Sequence, residues 1–151
     1  MSRIKMNRDE MSYISLLERI TGVTAKDCIW DNERNRVIFV LREGNLGKVV
    51  GKGGVTIRRI REQIKKPIDV VEYDDDPAEL TKNALSPAKI VSVTLATRGN
   101  RKTVVVTVAS STDKGKAIGK TGWNISRAKL LLKRYFDIDN ILINETQKNR
   151  S

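Results

Sequence analysis

Apolar residues along this chain occur in short stretches whose spacing changes from helical to extended and back, and then repeats the same changes. Tyr13, Leu16, Leu17 and Ile20 recur at the spacing of one helix face. Two strands are predicted next, at 28–30 and 36–41, around the turn-rich Asp31-Asn32-Glu33-Arg34-Asn35. A short helix, a glycine turn and a longer helix follow, the longer one with Ile57, Ile60 and Ile64 at i, i+3 and i+7. Pro67 is placed to end that helix, and 68–73 reads as a closing strand. The cycle then restarts at Asp76-Pro77-Ala78-Glu79, which has an N-cap aspartate, proline at the first helical position and glutamate three residues after the cap. Leu80 and Ala84 share a face behind it. Strands at 90–96 and 102–109 flank Arg98-Gly99-Asn100. In the first of them Ser92 and Thr94 alternate with Val91, Val93 and Leu95, as in a half-buried strand. Ile125, Ala128 and Leu132 repeat the spacing of the earlier long helix, and 140–144 closes the second copy. The predicted class is α+β, with the order α-β-β-α-α-β twice and a three-stranded sheet packed on helices in each copy.

The repetition extends to residue identities. Shifted by 68 positions, Gly47, Gly51 and Gly54 fall on Gly115, Gly119 and Gly122, Lys48 and Lys52 on Lys116 and Lys120, and Ile57 and Arg59 on Ile125 and Arg127. The copies divide the chain into 1–75, 76–145 and a polar tail, 146–151. The seam between them is acidic and short, with no glycine-serine linker, which predicts a restricted joint between the two copies.

Charge narrows the choice of partner. The 151 residues carry a net charge of +11, which points to a polyanion. No apolar run approaches the ~20 residues that span a bilayer, and the start of the chain has no apolar stretch of a secretory signal. A cytoplasmic protein with no membrane partner is expected. Histidine is absent and Cys28 is the sole cysteine, so the commonest general base, an intrachain disulfide and a thiolate metal cluster are all excluded. Cys28 reads as a small core residue. The run Glu72, Asp74, Asp75 and Asp76 reads as solvated linker acid with a capping role for Asp76, so no metal site is expected. Neither a cofactor nor a small-molecule substrate is predicted.

The chemistry concentrates in the repeated turn. Both copies follow apolar-Gly-x-x-Gly-x-x-Ile: Val50, Gly51, Lys52, Gly53, Gly54 and Ile57 in the first, Ile118, Gly119, Lys120, Thr121, Gly122 and Ile125 in the second. Glycine lets a backbone approach closely, the following helix start favours an anion, and a lysine stands inside each turn. Arg58 and Arg59 follow the first turn, Arg127 the second. These fifteen residues are the candidate clamp for a phosphate backbone. Trp123 could stack on a base but is expected to pack between elements. The string Gly115-Lys116-Ala117-Ile118-Gly119-Lys120-Thr121 imitates a Walker loop. It has three residues where that loop needs four, and the first copy lacks the magnesium hydroxyl, so nucleotide hydrolysis is rejected.

The element order with Gly-x-x-Gly between the central helices resembles a type II KH domain. Two such domains in tandem, over about 9–145, resemble the archaeal NusA-like transcription factors. The resemblance implies a single-stranded RNA-binding protein that is not an enzyme. It implies a role in transcription elongation, termination or antitermination, with the transcription complex as a further partner. KH domains hold about four nucleotides across the loop, so the resemblance makes these fifteen residues the RNA-binding set, with Val50, Ile57, Ile118 and Ile125 lining a groove shared with the core. The chain departs from bacterial NusA in having no counterpart, within these residues, of the polymerase-binding and OB-type regions that precede the KH pair there. A ribosome-assembly or ribosome-associated KH protein that binds rRNA is the alternative.

Overall fold

The structure is a computed structural model that describes residues 8–146; the N-terminal start and the predicted tail from 147 on lie outside the described residues. The chain divides between Asp74 and Asp75 into two compact units. The first contains α1 (Arg8–Thr21), β1 (Asp27–Asp31), β2 (Arg36–Leu41), α2 (Leu46–Val50), α3 (Val55–Ile64) and β3 (Ile68–Glu72). The second contains α4 (Pro77–Ala84), β4 (Ile90–Arg98), β5 (Arg101–Val108), α5 (Ser111–Ile118), α6 (Trp123–Phe136) and β6 (Asn140–Glu145). The order α-β-β-α-α-β holds in both.

Each unit has one three-stranded sheet, β1-β2-β3 or β4-β5-β6. The central strand pairs antiparallel with the strand before it and parallel with the last one, Ile38 lying opposite Ile29 and Phe39 opposite Val70 in the first sheet. A parallel pair needs a long crossover, and α2–α3 and α5–α6 supply it. The glycine turn lies at the bend of each crossover.

In the first unit Leu17, Cys28, Val37, Phe39, Leu41, Val49, Ile60 and Ile68 form a buried cluster, with Tyr13, Ile20, Ile57 and Ile64 packed against it. The helical stripes predicted for α1 and α3 therefore face this core, and Cys28 is a core residue. The unbroken apolar run of β2 is buried on both faces, since Ile38 and Val40 are as inaccessible as Phe39. Arg36 opens that strand with no exposed surface. Its Nε donates to Asp31 at 2.8 Å and its Nη1 to Asp69 at 2.8 Å, so the buried charge is neutralised from both neighbouring strands.

The second core uses Leu80 and Ala84 of α4, Val104, Val106 and Val108 of β5, Ala128, Leu131 and Leu132 of α6, and Ile141 of β6. Asp76 caps α4 as expected, accepting the Ala78 N–H at 3.0 Å behind Pro77. Glu79, placed to complete a capping box, pairs with Lys82 at 3.1 Å. Ser110 caps α5, and Asp113 in its first turn accepts the Lys89 N–H at 3.1 Å. That bond, with lesser help from Ser110 and the charges of Lys116 and Lys89, holds the Asp113 carboxyl below the usual aspartate range. The half-buried alternation predicted for β4 does not hold: Val91 and Leu95 are each 55% exposed and only Val93 turns partly inward. β4 is an edge strand, and an irregularity between Ile90 and Ser92 shifts its register against β5. Both long helices end on a non-glycine residue in the left-handed region, Lys65 (φ 61°) and Asp137 (φ 54°); the first thus stops two residues before Pro67.

Candidate nucleic-acid interface

The two turns share one backbone path. Gly51 (φ 76°, ψ 168°) and Gly119 (φ 77°, ψ 167°) terminate α2 and α5. Gly54 (φ 77°) and Gly122 (φ 80°) stand at the N-caps of α3 and α6. Hydrogen bonds repeat as well: Gly51 and Gly119 N–H groups donate to Gly47 and Gly115 at 2.9 Å, and Gly54 and Gly122 donate to Gly51 and Gly119 at 3.1 Å.

The first glycine of each turn has a reason that sequence reading assigned to RNA. A Cβ built on Gly51 would lie 2.8 Å from Cβ and 2.9 Å from N of Thr56, and one on Gly119 would lie 2.8 Å from N of Asn124. The close approach is internal: the turn lies against the start of its own long helix, and the positive φ adds a second need for glycine. Around Gly53 nothing lies within 4 Å of such a Cβ. The open backbone that a phosphate could approach is the tip of the turn.

At that tip the helix starts are uncapped. Neither α3 nor α6 has a side-chain cap or an acid in its first turn, whereas α4 and α5 are capped by Asp76 and Ser110. The Gly54 and Val55 N–H groups bond back to Gly51 and Lys52, and those of Gly122 and Trp123 to Gly119 and Lys120, so what each start presents is its positive dipole end, facing a turn that contains Lys52 or Lys120, both exposed. Lys48, Arg58, Arg59 and Arg61 are also exposed around the first turn, and Lys116 and Lys129 around the second. Val50, Ile57, Ile118 and Ile125 are half-buried beside the turns, as is Trp123, while Val55 at the equivalent first position is 56% exposed.

One predicted residue has a different place. Arg127 is buried, and its guanidinium donates to the Ala84 carbonyl at 2.7 and 3.0 Å and to the Ser86 carbonyl at 3.2 Å. It satisfies the last carbonyl of α4 and that of Ser86 just beyond, and its charge is buried within the second unit. Its repeat partner Arg59 stays on the surface. Sequence reading also missed Thr56, Asn124 and the tie from Asn124 Nδ2 to the Lys116 carbonyl at 2.8 Å. Their position five residues after the first glycine of each turn was the available signal. A separate pocket of about 190 Å³, lined by Asp9, Glu10, Tyr13, Trp30 and Lys66, gathers none of the predicted residues, and the Lys66 ammonium already lies 5.1 Å from the centre of the Trp30 ring.

Comparison with known proteins bears on the fold that carries these turns. A KH domain family model matches 12–96, and a model of the NusA-like second KH domain matches 77–146. The chain is 34% identical over 139 residues to the "Probable transcription termination protein NusA" of Halococcus morrhuae, covering 92% of this chain and 97% of that one. It is 32% identical to the protein of the same name from Methanocaldococcus jannaschii over 98% of this chain and 80% of that one. A crystal structure of APE1850 superposes with a TM-score of 0.82 at 43% identity, covering 92% of this chain and all (100%) of that one.

Proposed function

The chain belongs to the NusA-like family of tandem KH proteins, and on that footing we propose that it binds single-stranded RNA through both glycine turns and acts in transcription termination, antitermination or elongation. The observation that carries the reading is the pair of uncapped helix starts, each fronted by an open turn with an exposed lysine. Such a turn suits a phosphate backbone because amide dipoles and ammonium charge converge where no side chain intervenes. The half-buried apolar residues beside it would give the bases a surface to pack on. The proposed set is the predicted one without Arg127. The NusA names of the relatives supply the transcriptional context. Among the described residues no helix is long and apolar enough to cross a membrane.

Fluorescence anisotropy with an unstructured oligoribonucleotide tests the contact. Affinity should fall with salt at a log–log slope of about −0.7 per phosphate neutralised. A flat salt dependence would remove the electrostatic clamp. Crosslinking in cells, followed by sequencing of the attached RNA, tests the context: nascent transcripts are expected, and recovery confined to mature rRNA would point to ribosome assembly.

A further inference from the structure

The two turns share a path but are held in shape by different bonds. In the second, Thr121 Oγ1 donates to the Lys120 carbonyl at 2.6 Å, and Asn124 ties α6 back to α5. The first turn has glycine at both Gly53 and Gly54, with no hydroxyl at its tip. There Arg58 reaches back five residues, and its Nη1 donates to the Gly53 carbonyl at 2.9 Å. The same Nη1 would lie 3.5 Å from a Cβ on Gly54, so the guanidinium lies alongside the turn. The residue at the matching place in the second copy is Ser126, whose hydroxyl bonds within its own helix to the Trp123 carbonyl at 3.2 Å.

We propose that Arg58 is the positioning residue of the first turn, over and above its charge. A bare carbonyl oxygen at the tip would repel a phosphate, and a Gly-Gly tip has the widest choice of backbone conformations to lose on binding. Arg58 counters both. It occupies the Gly53 carbonyl and fixes the tip, and one bond uses only one of the five N–H donors of a guanidinium. A lysine is a poor substitute, because its three donors sit on a flexible stem and lack the rigid planar fork that holds a carbonyl and an anion in one fixed geometry. The inference rests on the RNA-binding reading of the turn.

The test compares Arg58→Lys, Arg58→Ala and Arg59→Ala in the full chain, measuring affinity for the same oligoribonucleotide at low and high salt and amide hydrogen exchange at Gly53 and Gly54. Arg58 and Arg59 are both exposed, and thermal unfolding should confirm that all three variants fold. Arg58→Ala and Arg58→Lys should each weaken binding roughly tenfold, a loss that persists at high salt, with faster exchange at the tip. Arg59→Ala should weaken binding about two- to threefold, a loss that disappears as salt screens the charge. The proposal is overturned if Arg58→Lys binds like the parent, or if the Arg58→Ala loss matches that of Arg59→Ala and vanishes with salt. A Lys52→Asp/Gly53→Asp variant separates the two levels. Undiminished binding there would sink the turn as the RNA site, whereas lost binding there beside a parent-like Arg58→Lys would sink only the positioning role.

Discussion

The first and second glycine turns have the same backbone geometry and different chemical surroundings. Around the first, Lys48, Lys52, Arg58, Arg59 and Arg61 all reach solvent. Around the second, Lys116, Lys120 and Lys129 do, while Arg127 is turned inward and a serine stands where the first has Arg58. A repeat therefore conserves the path of the chain more faithfully than the duties of its side chains. The second unit uses Arg127 to finish α4; the first keeps the matching charge for the surface.

Exchanging the fates of Arg59 and Arg127 probes this contrast most strongly. Arg127→Met should leave the Ala84 and Ser86 carbonyls without their donor and destabilise the second unit by roughly 3 kcal/mol, read as faster amide exchange in α4 and α6. Arg59→Met should change stability by less than about 0.5 kcal/mol while lowering RNA affinity. Equal stability losses would erase the distinction.

Charge reversal at the two tips comes next. Aspartate tolerates the left-handed backbone of Gly53 and Thr121, so Lys52→Asp/Gly53→Asp and Lys120→Asp/Thr121→Asp should keep the fold. Each should weaken RNA binding, the first on the order of thirtyfold and the second by less, because fewer exposed cations surround it. Equal losses in anisotropy titrations would mean that the surrounding arginines contribute nothing.

A smaller effect separates the tips themselves. Thr121 holds φ 54° with a β-branched side chain where the first turn uses glycine at φ 64°. Thr121→Gly should relieve strain and stabilise the second unit by about 1 kcal/mol, seen as a rise in Tm. A fall in Tm would show that the Thr121–Lys120 bond outweighs the strain.

The smallest expected effect depends on pH. The folded Asp113 carboxyl titrates below its unfolded counterpart, chiefly through the Lys89 N–H. Its contribution to stability is therefore complete above the unfolded value, about 3.9, and is lost as pH falls through the lower folded value. Asp113→Asn should flatten that part of the acid decline in Tm and leave the alkaline side unchanged. An unaltered acid profile would show that the carboxylate is not coupled to folding.

Much of this architecture was legible because its causes are local. Helical spacing at Ile57, Ile60 and Ile64, the Asp76-Pro77 start and the unbroken run of β2 each carry their signal within a few residues. The turn was legible because it occurs twice. The burial of Arg127 was not, since its partners Ala84 and Ser86 are more than forty positions away (|i−j| 43 and 41) and its match to Arg59 suggested a shared role. Arg36 was hidden likewise: nothing in the spacing of Asp31 and Asp69 announces that both would meet one guanidinium. The exposure of Val91 and Leu95 had no local signal, because alternation reports which residues share a face and not whether anything covers that face.

The seating of Gly51 on Thr56, and of Gly119 on Asn124, also bears on how fast RNA can be captured. A turn whose base is wedged against its own helix has given up much of its freedom during folding, so docking a strand has only the tip left to freeze. Association should then proceed without a slow rearrangement of the protein, and residence time should be where variants differ. Enlarging either glycine would pry the wedge open and make each encounter wait for the turn to find its shape.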